Sequence, residues 1–245
     1  MQASENVVSR RTLLKAGVYF FLMNAVLFLI LSFRYLSFVP EDARADSPFF
    51  LYSLQISHFV FLAFLPFFFA YVPLTILTKN KRTSSIVAAT VSTISLIVFV
   101  VDSYIFSLYR FHFNKSVIDQ LLGPDADQVF EMSVAIYFLA LAIFALLFFL
   151  ETLAFKISYK WAEKADLRLL YGICTFLCAV FLFAQLSHAY GVVKNNRYMV
   201  GIVRCFPFCS PLNANKLLSS VGIIEPMQSF HFKSQGNTYN YPKNP

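Results

Sequence analysis

Cys205 and Cys209 stand four residues apart in RCFPFCSPLNANKLLSS, residues 204–220. Two thiols without a nearby His make an incomplete metal set, so no metal is expected. In an oxidising compartment the pair is a candidate disulfide around Phe206-Pro207-Phe208. The next residues offer different chemistry. Ser210 is a good helix N-cap and Pro211 suits the first helical position. The N–H groups of that first turn lack intrahelical partners and suit a phosphate or a sugar hydroxyl. A second set of chemical residues, His58, Asp102, Glu151 and His188, interrupts apolar runs. An ionised side chain at mid-bilayer costs about 2.5–3.5 kcal/mol on lenient scales. Each must therefore face the protein, carry a proton or reach water. A proton or ion path would use such groups, but all except His58 fall near a predicted interface. Interhelical hydrogen bonding suffices there, and structural glue is the favoured reading. His112 and His231 stand without evident acid, base or nucleophile partners. The sequence has no Walker A loop, HExxH, G-x-S-x-G or paired CxxC sets, so neither an enzyme nor a cofactor is expected.

The elements that position these residues follow from composition. Of 245 residues, 58% are hydrophobic, 13% are charged and thirty are Phe. Globular domains carry about 25% charged residues, and a membrane-spanning helix needs about 20 mostly apolar ones. Five stretches qualify, at about 16–38, 49–78, 84–108, 132–155 and 168–193. The fold class is an all-α membrane protein with five transmembrane helices plus short interfacial helices on the periplasmic side. The first apolar run is too long for a cleaved signal peptide. Pro66 and Pro73 should kink the second span.

Lys/Arg bias sets orientation. With the N-terminus inside, the inner segments hold ten basic residues against four in the two outer loops, and the other six lie after residue 193. That predicts a cytoplasmic N-terminus and a periplasmic C-terminus. Residues 1–15 are then cytoplasmic, 16–193 membrane-embedded, 194–225 a periplasmic lipid-contact segment and 226–245 a polar linker. Asn114 can cap a short amphipathic helix presenting Val117, Ile118, Leu121 and Leu122, ended by Gly123-Pro124. Ser210 should cap a second helix over 211–221, with Gly222 at its C′ position. The candidate lipid-binding residues are Ser210, Asn213, Asn215, Lys216 and Arg204. Cys174 and Cys178, inside the fifth span, read as packing residues.

Six segments taken in order carry a resemblance: SFRYL (32–36), ISHFVFLAF (56–64), VDSYIFSLYRFHFN (101–114), LFFLETLAF (147–155), LSHAYGV (186–192) and PFCSPLNANKLLSSVGIIE (207–225). Together they resemble the N-terminal membrane region of the PbgA/YejM family, inner-membrane regulators of lipopolysaccharide synthesis. The resemblance implies five transmembrane helices, an interfacial segment and a periplasmic sulfatase-like domain. It implies anionic lipid as a partner (lipid A/lipopolysaccharide or cardiolipin), a LapB-like membrane adaptor as a second partner, and no nucleic acid. The family's lipid A segment offers backbone amides, a hydroxyl residue and two adjacent arginines, which fall by position on Asn213, Asn215 and Lys216. Asn cannot supply the arginine charge, and Lys216 gives a point charge instead of a bidentate fork. The sulfatase-like domain that the resemblance implies is not among these 245 residues, so a truncated product, a split gene or a natural short form is expected. The rival expectations are the membrane anchor of a sulfatase-fold phosphoethanolamine or glycerol-phosphate transferase, and a transporter in which Asp102, Glu151 and the histidines converge.

Overall fold

The computed structural model describes residues 8–122, 133–164 and 167–211. Five helices in it are long and apolar enough to cross a membrane: α1 (Arg10–Leu36), α3 (Pro48–Leu77), α4 (Lys81–Tyr109), α6 (Val134–Lys164) and α7 (Leu167–Val193). Three short helices join them on one side of the bundle: α2 (Glu41–Asp46), α5 (Lys115–Leu122) and α8 (Arg197–Val203). The side bearing these is called the far face, and the side bearing the 78–81 connection the near face. The described residues contain no strand, so the chain is an all-α membrane protein.

The spans run past the hydropathy boundaries where a charged face continues the helix. In α6, Lys156, Lys160 and Lys164 recur every four residues, on one side. Ser158, Tyr159 and Ala162 are buried on the other, so the helix persists nine residues beyond its predicted end. The kink predicted in the second span takes a specific form. Between Pro66 and Pro73 the helix widens into one π-helical turn, Phe67–Tyr71, and Val72 N–H reaches back five residues to the Phe67 carbonyl. Proline supplies no N–H, and the widened turn re-registers the backbone acceptors around the two prolines. Asn80 caps α4, its Oδ1 accepting from Arg82 N and Thr83 N.

α1 is the central helix, packing against α3, α4 and α6, while α7 docks on α3 from outside. Lipid tails are as apolar as these side chains, so shape and polar contacts hold the bundle together. In the far half, Phe28 stacks on Phe99 and Tyr35 on Phe59. In the near half, Phe20, Phe21, Phe67, Tyr71 and Phe155 interlock edge to face. Gly17 makes that second cluster possible, since a Cβ there would collide with the Tyr71 ring. The Tyr71 hydroxyl then donates to the Leu13 carbonyl at 2.7 Å. Interhelical polar contacts supply the rest. Gln55 Nε2 donates to Ser32 Oγ at 2.7 Å and Asn24 Nδ2 to Glu151 Oε2 at 3.0 Å.

The helix expected from Asn114 is present as α5, with Val117 N donating to Asn114 Oδ1. Its Gly123-Pro124 stop lies outside the described residues, as do the expected helix after Pro211 and the 226–245 linker. Two elements were not foreseen. α2 and α8 span six and seven residues, too few to show a hydrophobic period. Asn196 caps α8 by accepting from Tyr198 N and Met199 N. Gly191 admits the Met199 side chain, whose sulfur would stand 2.5 Å from a Cβ at that position.

Candidate functional site: a cationic platform on the far face

Asp102 organises the far face. It sits near the far end of α4 with no exposed surface. Its Oδ2 accepts from the Tyr35 hydroxyl of α1 at 2.6 Å and from His112 Nδ1 at 3.0 Å, and Oδ1 accepts from Phe113 N at 2.6 Å. Three donors replace the water a buried carboxylate needs. The geometry depends on a reversal after α4, where Arg110 takes a left-handed conformation (φ 62°) and its N–H closes on the Phe106 carbonyl. That reversal lays the His112 ring flat on Phe106, with centroids 4.3 Å apart. His112 therefore has a partner that its sequence neighbourhood did not reveal.

The platform is tied to the turn beyond α8 at two points. His112 Nε2 donates to the Arg204 carbonyl at 3.1 Å, and His58 Nε2, from α3, donates to the Pro207 carbonyl at 2.7 Å. Both ring nitrogens of His112 thus face acceptors. Phe206 enters the core between these ties and meets Phe59 edge to face. The candidate disulfide is not formed: Cys205 and Cys209 are free thiols. Both pack against the far-half core as small apolar groups. Burial pushes the Cys205 thiol up and the Cys209 thiol up to about 12.

Beside the turn lies a cleft of about 750 Å3 bounded by the α1–α2 connection, α2, the end of α4 and α8. Four arginines from three segments line it, Arg44, Arg110, Arg197 and Arg204, against one acid, Glu41. Arg44 is anchored by donating from Nε to the Val39 carbonyl at 2.9 Å and from its terminal nitrogen to Leu36, where it also meets the negative end of α1. Arg110 lies over the Phe38 ring at 4.1 Å. Arg197 and Arg204 are seven residues apart, two turns of one helical face. A second clamp joins α8 to α2: Asn196 Nδ2 donates to Asp46 Oδ2 at 2.9 Å. Hydrogen bonds from Ser47 and Asn196 hold the Asp46 carboxyl below its usual range. Arginines lining one cleft favour a multiply charged anion, phosphate above all.

Of the predicted lipid-binding residues, Arg204 lines this cleft. Ser210 lies across the turn, at the mouth of a groove between α3 and α7. Asn213, Asn215 and Lys216 fall outside the described residues. The intramembrane polar residues do not converge. Glu151 is buried against Asn24, while Asp102 is held by Tyr35, eleven residues further along α1, or about 16 Å. His188 stacks on Phe50 where α7 meets α3. Among the described residues no three metal-ligating side chains come together. The arginine cleft was missed because no spacing in the sequence links positions 44, 110, 197 and 204.

Comparison with known proteins fits this architecture. "Inner membrane protein YejM" of Salmonella typhimurium is 21% identical over 222 residues, covering 86% of this chain and 36% of that protein. The YejM of Salmonella typhi matches equally. An uncharacterized protein of Haemophilus influenzae is 25% identical over 219 residues, covering 85% of this chain and 35% of its own length. The chain thus spans about a third of the length of the curated relatives it matches. The domain family DUF3413 (Domain of unknown function) matches residues 4–245. With a match running over nearly its whole length, the chain belongs to the DUF3413 family and shares this membrane region with the YejM proteins.

Proposed function

We propose that this chain is a non-catalytic inner-membrane module that binds an anionic lipid at the periplasmic leaflet and regulates lipopolysaccharide synthesis through a membrane partner, such as a LapB-like adaptor. In this reading the N-terminus is cytoplasmic and the far face is periplasmic, which the Lys/Arg bias supports. The lipid carries phosphate, as lipid A and cardiolipin do. One observation carries the reading: four arginines and a single acid line a cleft beside the ends of α1 and α4. Arginine suits this role because its fork bonds two phosphate oxygens and stays charged at every relevant pH. Partner control would pass through the spans, since the far-face turn is hydrogen-bonded to α3 by His58 and through His112 to Asp102 of α4.

The test is thermal stabilisation of the detergent-purified protein by added lipid A, cardiolipin or phosphatidylcholine. A ligand that binds only the folded state raises the unfolding temperature as its concentration exceeds its Kd. Lipid A or cardiolipin should stabilise the native sequence and phosphatidylcholine should not. Arg197→Glu with Arg204→Glu should abolish the difference. Equal stabilisation of the native and reversed proteins would refute the cleft as the headgroup site.

A further inference from the structure

We propose that the groove between α3 and α7 holds one acyl chain of a membrane lipid, with the glycerol-ester end beneath Ser210. This site lies on the other side of the 204–210 turn from the arginine cleft and goes beyond the reading above. Its upper lobe, about 620 Å3, opens at the far face between Leu54 and Gln185 under Phe208 and Ser210. Its lower lobe, about 410 Å3, continues between Val60, Phe64 and Phe68 of α3 and Cys174, Leu177 and Cys178 of α7. Ser57, Phe61, Phe181 and Leu182 border both lobes, so the two form one channel.

Length, width and polarity select the occupant. From Cys174 to Gln185 the channel follows eleven residues of α7, about 16 Å. At roughly 1.2 Å per bond of an extended chain, that accommodates about 13 methylene links. A helix of about 10 Å diameter over the same length would need about 1200 Å3. The two lobes share four lining residues and together hold less than that, so a single acyl chain fills the channel more closely than a partner's helix would. Polarity is graded along the channel as it is along a lipid. The Ser57 hydroxyl is used internally, donating to the Leu54 carbonyl at 3.3 Å, and the rest of the lower wall is apolar or thiol. Gln185 and Ser210 border the upper end, where ester and glycerol oxygens would lie, and His58 lines it with Nε2 already bonded to the Pro207 carbonyl. Phe208 roofs the mouth with φ at 54°, a left-handed conformation that bulky residues avoid. The neighbouring Pro207 is held by His58, so the strain is imposed by the fold.

The experiment uses the full chain in bilayer nanodiscs containing a phosphatidylcholine or a phosphatidylglycerol with a mid-chain diazirine. After photolysis, cross-linked residues are mapped by mass spectrometry. The first half of α6, Val134 to Leu150, is largely exposed and apolar, and it supplies the internal reference. Cross-links should concentrate several-fold on Phe61, Phe64, Leu177 and Phe181 relative to α6, with either headgroup. Leu182→Trp, or Val60→Trp from the opposite wall, should lower them to the α6 level. Unchanged α6 labelling reports that these variants remain folded. Arg197→Glu with Arg204→Glu should leave groove labelling intact, which separates this site from the headgroup cleft. Uniform labelling along all lipid-facing helices would overturn the proposal, as would labelling that survives both tryptophans. Loss of groove labelling in native membranes, but not in nanodiscs, would assign the groove to another occupant and equally overturn it.

Discussion

Replacing Asp102 should free the far-face turn without dissolving the bundle. In Asp102→Leu the Tyr35 hydroxyl, Phe113 N–H and His112 Nδ1 all lose their acceptor. Each buried donor left unpaired costs about 1–3 kcal/mol. Tyr35 is fully enclosed, whereas His112 and Phe113 are partly exposed. The expected total is about 3–4 kcal/mol, concentrated on the 110–114 reversal and on the Arg204 carbonyl that His112 holds. Asp102→Asn keeps one oxygen for Phe113 N–H, and its amide can donate to a rotated Tyr35 hydroxyl, so about 1–2 kcal/mol is expected. Cys205 and Cys209 report on the turn directly. Burial pushes the Cys209 thiol up to about 12, leaving its thiolate at neutral pH about a thousandfold scarcer than on an exposed cysteine. Alkylation must therefore proceed mainly through local opening. With Cys174 and Cys178 replaced by Ser, iodoacetamide should modify the turn a few hundredfold faster in Asp102→Leu and about tenfold faster in Asp102→Asn, as 1.4 kcal/mol per decade requires. Both variants reacting at the native rate would refute Asp102 as the organiser of this face.

Other contacts yield sharper single outcomes. Glu151→Leu should lower stability in detergent by about 1 kcal/mol, the scale of a transmembrane side-chain hydrogen bond, because Asn24 loses its partner in α6. Glu151→Gln should be nearly neutral, and thermal unfolding of the two variants side by side decides the matter. Gly17→Ala should destabilise the near half by about 1–3 kcal/mol through overpacking against Tyr71; a second change, Tyr71→Leu, should recover part of that loss. The pH profile of Cys209 alkylation has a defined sign. Because burial raises this thiol, its reaction rate in the folded protein should still be climbing at pH 10, whereas the unfolded chain should level off near pH 9.

The spans were legible because about twenty apolar residues in a row have few alternatives in water or membrane. The α5 cap was legible too, since Asn114 precedes a period of apolar residues that only a helix aligns. Other features depend on local conformations that residue types do not announce. Arg110 adopting φ 62° returns His112 to Asp102, and an arginine is not a usual marker of such a turn. The His58 bond to the Pro207 carbonyl joins residues 149 apart. Cys205 and Cys209 look like a disulfide by spacing alone, yet they are free thiols packed against the far-half core. Pro66 and Pro73 announced a bend, but the π-helical turn that resolves it depends on the packing of Phe67 and Tyr71 against α1.

Native mass spectrometry of the protein extracted gently from membranes tests the central claim most directly, because it counts the lipids that remain bound. The native sequence should retain a phosphate-bearing anionic lipid that Arg197→Glu with Arg204→Glu loses, while other bound lipids stay. Identical retention in both proteins, or retention of zwitterionic lipids alone, would contradict an arginine cleft that recognises headgroups.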